Sequence, residues 1–310
     1  MKIYIAGKKG LVGSAINLLG VQSGYQIYGR SSSELNFCNR IDIDAEFAKA
    51  RPDVLIIAAA KVGGIRANLN NPVSFLSENL QIQTNLISAA HHAKIPRVIF
   101  LGSACIYPQL ANQPIHESSL LSGPLEISNE SFAIAKIAGV KLIEAYRQEF
   151  SYDWFSLLPS NLYGPGDNFD LENGHALPSL MHKFHLAKIT AVPSVSLWGD
   201  GSPLREFTHS FDVARAILFL LDKKVAHSYM NIGTGEEISV KDLALQIKDV
   251  IGFKGEVCFD KNLLNGTPRK ILDSSIIRSY GWVPEIQLRD GLRETYQWLL
   301  QNLSNFRGHK

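Results

Sequence analysis

Near the N-terminus, Gly7-Lys8-Lys9-Gly10-Leu11-Val12-Gly13 follows a short apolar run and opens an amphipathic one. In a G-x-x-G-x-x-G turn between strand and helix, the early glycines let the backbone approach a pyrophosphate. The last glycine lets helix and strand pack closely. The segment therefore predicts dinucleotide binding, the bland alternative being a plain strand-to-helix turn. The next apolar run ends in Gly29-Arg30, at the place where an acidic side chain would grip the ribose 2′-hydroxyl of NAD. An arginine there, with Lys8 and Lys9 nearby, pairs instead with a 2′-phosphate, which points to NADP. No Cys/His cluster has zinc spacing, so no metal is implied.

The elements that must hold these residues follow from periodicity. Residues 2–6, 26–28, 54–59, 98–101 and 155–158 are short apolar runs that predict buried strands. Between them, residues 11–19, 40–50, 72–93 and 132–150 have helical length and spacing. Strands and helices alternating in this way predict βαβ units, hence a Rossmann-type, doubly wound parallel sheet in an α/β fold. After Pro159 the rhythm loosens. A helix near 177–187 and small elements near 195–198, 239–250 and 257–259 predict a second, smaller mixed α/β lobe. The expected division is residues 1–160 for the cofactor, with a segment near 205–232 returning to that lobe, and 161–310 mainly for the substrate. His182 and His185 are expected on the surface or at the lobe interface, and Lys270 in a local ion pair with Asp273.

Composition bounds the partners. Lys and Arg total 31 against 29 Asp and Glu in 310 residues, a formal charge of +2. That near-balance opposes nucleic-acid binding, which needs a surplus of cations on one face. Three cysteines, few and odd in number, oppose a disulfide framework and suit a reducing cytoplasm. No apolar stretch reaches the ~20 residues that span a bilayer, and residues 305–310 carry no lipidation pattern. A soluble cytoplasmic protein is the expectation.

The strings Cys105-Ile106-Tyr107-Pro108, Ala60-Lys61-Val62-Gly63-Gly64-Ile65 and Gly266-Thr267-Pro268-Arg269-Lys270 are distinctive. Together with Trp198-Gly199-Asp200-Gly201 and Arg205-Glu206-Phe207, they make nearly the whole chain resemble the GDP-L-fucose synthases of the extended short-chain dehydrogenase/reductase family. The resemblance implies epimerisation of GDP-4-keto-6-deoxy-D-mannose at carbons 3 and 5, then reduction of the carbon-4 ketone by NADPH. It assigns acid-base work to Cys105 and His175, and a strand-end catalytic serine to Ser103. Taken alone, Cys105 reads as a small buried hydrophobe and His175 as surface. Around the cofactor it implies Gly7, Lys8, Lys9, Gly10, Leu11, Val12, Gly13 and Arg30. The resemblance adds Ala59, Ala60, Leu101, Gly102 and Lys136 for the middle of the cofactor. Pro159, Ser160, Asn161, Leu162 and His175 complete the nicotinamide side. For the sugar nucleotide it implies Lys183, Trp198, Arg205 and Arg269. Lys183 stands where relatives often have arginine, so bidentate pairing with phosphate is lost there.

The family pairs its catalytic lysine with a tyrosine four residues earlier. Here that position is Phe132, ahead of Lys136. Phenylalanine has no hydroxyl with which to protonate the carbon-4 oxygen. The expectation is an enzyme that binds NADPH and exchanges protons but is impaired in reduction, unless another group serves. Tyr107 and Tyr163 are the tyrosines nearest the motifs. Two other readings remain open. One is a different nucleotide-sugar epimerase or dehydratase, which would favour NAD. The other is a non-catalytic NADP-binding protein, which predicts no proton exchange. The resemblance also implies a homodimer formed through the helices near 78–92 and 132–150.

Overall fold

A computed structural model describes residues 1–262 and 265–308, so the final two residues of the tail lie outside it. Among the described residues, six strands form one parallel sheet in the order β2-β1-β3-β4-β5-β10. These are β1 (Lys2–Ala6), β2 (Gln26–Arg30), β3 (Val54–Ile57), β4 (Arg97–Leu101), β5 (Phe155–Pro159) and β10 (Tyr229–Ile232). Val, Ile, Leu and Phe dominate β3, β4 and β5, as strands covered on both faces require. The strand order reverses between β1 and β3. That opens a crevice at their carboxyl ends, where ligands of open α/β sheets bind.

Helices cover both faces. On one lie α2 (Arg40–Ala50), α4 (Pro72–His92) and α5 (Glu130–Phe150), packed through Phe47, Leu86, Ile87, Val140 and Ile143. On the other, α1 (Leu11–Gln22) packs on α7 (Ser210–Leu220) through Val12, Ile16, Val213 and Ile217. Ile277 of α9 (Ser275–Ser279) and Trp282 join that cluster, so chain from late in the sequence completes the sheet's second face. β3 stops at Ile57, two residues short of the expected run. Residues 58–64 leave the sheet and lead to α3 (Ile65–Asn70).

The smaller lobe encloses its own core around Phe169, Met181, Phe184, Leu243, Ile247, Leu292 and Leu299. These come from α6 (Ala176–Ile189), α8 (Val240–Ile251), α10 (Leu288–Gln301) and the loop before α6. Its strands are short: β7 (Ser194–Trp198) pairs with β12 (Glu256–Asp260), and β6 (Asn161–Tyr163) with β9 (Phe207–His209). β8 (Leu204–Arg205) lies between β11 (Ile238–Ser239) and β13 (Arg269–Lys270). His185 was expected at a surface or interface. It is instead buried inside this lobe, its Nδ1 3.1 Å from the Tyr296 hydroxyl, because α6 presents that face to α10.

Candidate active site

The glycine turn is built by steric necessity. Gly7 has φ +89°, and a Cβ there would stand 2.8 Å from the Ala59 backbone nitrogen. At Gly13 a Cβ would fall 2.1 Å from the Gly7 carbonyl oxygen. Gly10 is the N-cap of α1 and brings no side-chain cap, and the first turn of that helix carries no acidic residue. The amino end of α1 is thus bare backbone beside β1, a cradle that suits a diphosphate.

Beyond the turn, a cleft of about 850 Å3 is lined by Lys8, Lys9, Arg30 and Glu34 together with Phe211 and Trp298. Lys9 lies 3.0 Å from Glu34 and Arg30 lies 2.9 Å from Glu46. Glu34 is held down at about 2, chiefly by hydrogen bonds from the Ser31 backbone and hydroxyl, then by Lys9. Arg30, expected from the sequence to meet a 2′-phosphate, is oriented by Glu46.

The second cluster sits at the end of β4. Ser103 accepts a hydrogen bond from the Cys105 N–H at 3.2 Å, which caps a single 3-10 turn and holds Cys105 half-buried. Cys105 packs against Ala67, Phe75 and Phe132. Phe132, in the first turn of α5, is 9% exposed and meets Phe75 edge-on at 6.4 Å. Lys136, one turn on, is 4% exposed. Its Nζ donates to the Leu101 carbonyl at 2.7 Å and stands 4.6 Å from the Phe100 ring centre and 5.8 Å from that of Phe132. Burial pushes this amine down to about 7, with Cys105 opposing.

The unfolded chain keeps Lys136 protonated up to the ordinary 10.5, whereas the folded chain releases the proton from about 7. Between these values the unfolded state binds more protons, so this residue makes stability rise with pH. Lys136→Met is therefore expected to raise the melting temperature at pH 6–7 by several °C, on the order expected for one to two kcal/mol. The gain should shrink towards pH 10. Thermal unfolding of both proteins across that range checks it; a pH-independent difference would refute it.

His175 reaches the same region by a route that periodicity does not show. It is the N-cap of α6, and Asn173 and Gly174 precede it. The Gly64 N–H donates to the Asn173 carbonyl at 2.8 Å, and a Cβ on Gly64 would stand 2.3 Å from the Gly174 carbonyl oxygen. A Cβ on Gly63 would be 2.9 Å from Ala67 Cβ and 3.1 Å from Phe75 Cζ. The two glycines therefore let the His175 loop lie directly on the wall that holds Cys105 and Phe132. Buried Asn79 of α4 fixes the start of that turn, accepting from Lys61 N–H at 2.8 Å and donating to the Lys61 carbonyl at 3.0 Å. His175 is exposed, yet the surrounding chain desolvates the ring enough to hold its pKa below the usual value.

Neither alternative tyrosine is available to replace a hydroxyl at position 132. Tyr107 is 1% exposed and its hydroxyl donates to Asn231 Oδ1 at 2.6 Å. Tyr163 is equally buried, against Phe207 and His209.

The expected sugar-nucleotide residues fall into two groups. Arg205 and Arg269 lie on the paired strands β8 and β13; Arg269 is 2.7 Å from Glu237, and burial lowers the Arg205 guanidinium, with Glu126 opposing. Lys183 of α6 donates to the Ser196 carbonyl of β7, the strand that ends in Trp198, which is 61% exposed. Lys270 forms no ion pair with Asp273 among the described residues; Asp273 accepts instead from the Ser275 N–H at 2.8 Å. Glu206, which sequence reasoning quoted only within a motif, is fully buried. It accepts from the N–H groups of Gly235 at 2.7 Å and Leu272 at 2.9 Å, tying β8 to the large sheet. Asn161, on the opposite side, donates to the Glu206 carbonyl at 2.9 Å and so joins the strand after β5 to the Arg205 segment.

Comparison with known proteins gives this geometry a family. Residues 3–233 match the model of the NAD dependent epimerase/dehydratase family. The chain is 50% identical over 303 residues to putative GDP-L-fucose synthase 2 of Arabidopsis thaliana, covering 97% of this chain and 92% of that one. It is 44% identical to GDP-L-fucose synthase of Escherichia coli K12, covering 99% of both. Among solved structures, a GDP-L-fucose synthetase from Naegleria fowleri bound to NADP superposes with a TM-score of 0.90 at 28% identity, covering 99% of this chain and 96% of that one. The chain belongs to the NAD dependent epimerase/dehydratase family, and within it to the GDP-L-fucose synthases.

Proposed function

We propose that the protein epimerises GDP-4-keto-6-deoxy-D-mannose at carbons 3 and 5 and reduces carbon 4 with NADPH to GDP-L-fucose, with the reduction slowed by Phe132. The observation that carries the reading is the Gly63-Gly64 turn, which packs the His175 loop onto the wall holding Cys105 and Phe132.

In this reading the bare amino end of α1, with Gly7, Gly10 and Gly13, binds the cofactor's diphosphate, while Lys8 and Arg30 meet the 2′-phosphate. Ala59, Ala60, Leu101 and Gly102 form the floor of the crevice. Pro159, Ser160, Asn161 and Leu162 flank the nicotinamide. NADPH supplies the hydride that carbon 4 receives. Cys105 and His175 remove and return protons at carbons 3 and 5, whose acidity comes from the adjacent ketone. Ser103 holds the ketone oxygen, and Lys136 provides the cation beside it. With phenylalanine at 132, the reduced oxygen has no phenol from which to take a proton. Lys183, Trp198, Arg205 and Arg269 receive the GDP portion. Residues 1–160 with 205–232 are assigned to the cofactor, and the remainder mainly to the sugar nucleotide. A cytoplasmic homodimer formed through α4 and α5 belongs to the same proposal. Among the described residues no helix is long and apolar enough to cross a membrane.

The test is the reaction of GDP-4-keto-6-deoxymannose with NADPH in deuterated water, read by mass spectrometry. Deuterium at two carbons is expected, with slow appearance of reduced product. No deuterium uptake would overturn the epimerase reading.

A further inference from the structure

A segment close to the C-terminus, residues 306–308, carries an arginine to the glycine turn. Phe306 is buried in the core of the smaller lobe, its ring edge-on to Phe169 at 5.8 Å and to His182 at 5.0 Å. The carbonyl of Arg307 accepts from the Phe169 N–H at 2.9 Å, and its backbone bridges to Asn168. Gly308 then turns with φ +91°, where a Cβ would fall 2.2 Å from the Asp170 nitrogen. The backbone of Arg307 is thus fixed to the loop that leads to His175.

Its side chain crosses to the other lobe. One Nη2 donates to the Lys9 carbonyl at 3.0 Å, and a Cβ built on Gly10 would be 3.8 Å from the same nitrogen. Gly10 is the uncapped N-cap of α1, so the guanidinium stands at the mouth of the bare backbone cradle. Its charge reaches Asp167, which is 3% exposed and raised to about 7, chiefly by burial, with Arg307 opposing the rise. A guanidinium carries five donors in a planar fork. Hydrogen-bonding the Lys9 carbonyl leaves others for two phosphate oxygens.

We propose that Arg307 binds the diphosphate bridge of the dinucleotide and closes the glycine-turn site from the smaller lobe. The proposal rests on the cofactor reading above and adds to it a residue from the opposite end of the chain.

The 310-residue protein and the variants Arg307→Ala, Arg307→Gln and Arg307→Lys are titrated with NADPH and with NADH, following the fluorescence of the reduced nicotinamide. The two nucleotides share the diphosphate and differ at the 2′-phosphate. Arg307→Ala is expected to weaken both by the same factor, about tenfold or more, the range for a charged hydrogen bond. Arg307→Gln keeps an amide donor for the Lys9 carbonyl without the charge and should bind as weakly as Arg307→Ala. Arg307→Lys should recover part of the affinity. Unchanged NADPH affinity in Arg307→Ala would overturn the proposal, as would full affinity in Arg307→Gln. A loss for NADPH alone would overturn it too, placing the guanidinium on the 2′-phosphate. A parent protein that binds neither nucleotide overturns the cofactor reading and this proposal together.

Discussion

Phe132→Tyr is expected to accelerate NADPH consumption with GDP-4-keto-6-deoxymannose by about 10²–10⁴-fold, the usual contribution of a positioned general acid. The change adds one oxygen atom to a ring that is already held between Phe75 and Lys136 and is 9% exposed. The Lys136 ammonium, 5.8 Å from the ring centre, would stabilise the phenolate and bring the new hydroxyl towards a useful acidity. Because Tyr107 and Tyr163 are buried and packed elsewhere, neither of these two phenols can mask the effect. Deuterium uptake at carbons 3 and 5 should change little, since Cys105 and His175 are untouched. Stopped-flow absorbance of NADPH, run beside mass spectrometry in deuterated water, reads the two stages separately. Equal rates of NADPH oxidation before and after the substitution would sink the assignment of Phe132.

The second large effect belongs to Cys105→Ser. Serine nearly preserves the volume among Ala67, Phe75 and Phe132 and keeps the N–H that Ser103 caps. A hydroxyl is far harder to deprotonate near neutral pH than a thiol. Deuterium uptake should therefore fall by about 10²–10⁴-fold, while the equilibrium affinity for NADPH stays within twofold of the parent. Slow reduction in the parent makes this measurement cleaner, because the keto sugar persists long enough for exchange to be followed. Uptake at the parent's rate would remove Cys105 from acid-base work.

How much of this was open to reading in one dimension depends on the range of the forces involved. The glycine turn and the apolar strands around it are local: Gly7, Gly10 and Gly13 are demanded by backbone approaches within and next to one βα unit. Helices such as α4 and α5 declare themselves by period. The small strands of the second lobe do not, because β8, β11 and β13 are two residues long each and exist only by pairing with one another. The placement of His175 was out of reach for the same reason. It depends on Gly63 and Gly64 meeting Asn173 and Gly174, a contact between distant parts of the chain. Glu206 gave no local signal beyond its motif, since its role is to satisfy two distant backbone N–H groups. Arg307 carries no local signal, because its reach to the glycine turn depends on Phe306 burying itself in the smaller lobe.

The way α7, β10, α9 and Trp282 complete the large sheet has a consequence for how the chain is made. When a ribosome has delivered residues 1–160, the edge of β5 lacks β10, and Val12 and Ile16 of α1 lack Val213 and Ile217. An unpaired strand edge and a bare apolar face are what invites wrong partners. The half of this molecule that carries β1 to β5 therefore cannot mature as it emerges. It waits, exposed, for segments that begin about fifty residues later with α7 and end about a hundred and twenty residues later with Trp282, so the vulnerable interval of its biogenesis lies in the middle of translation.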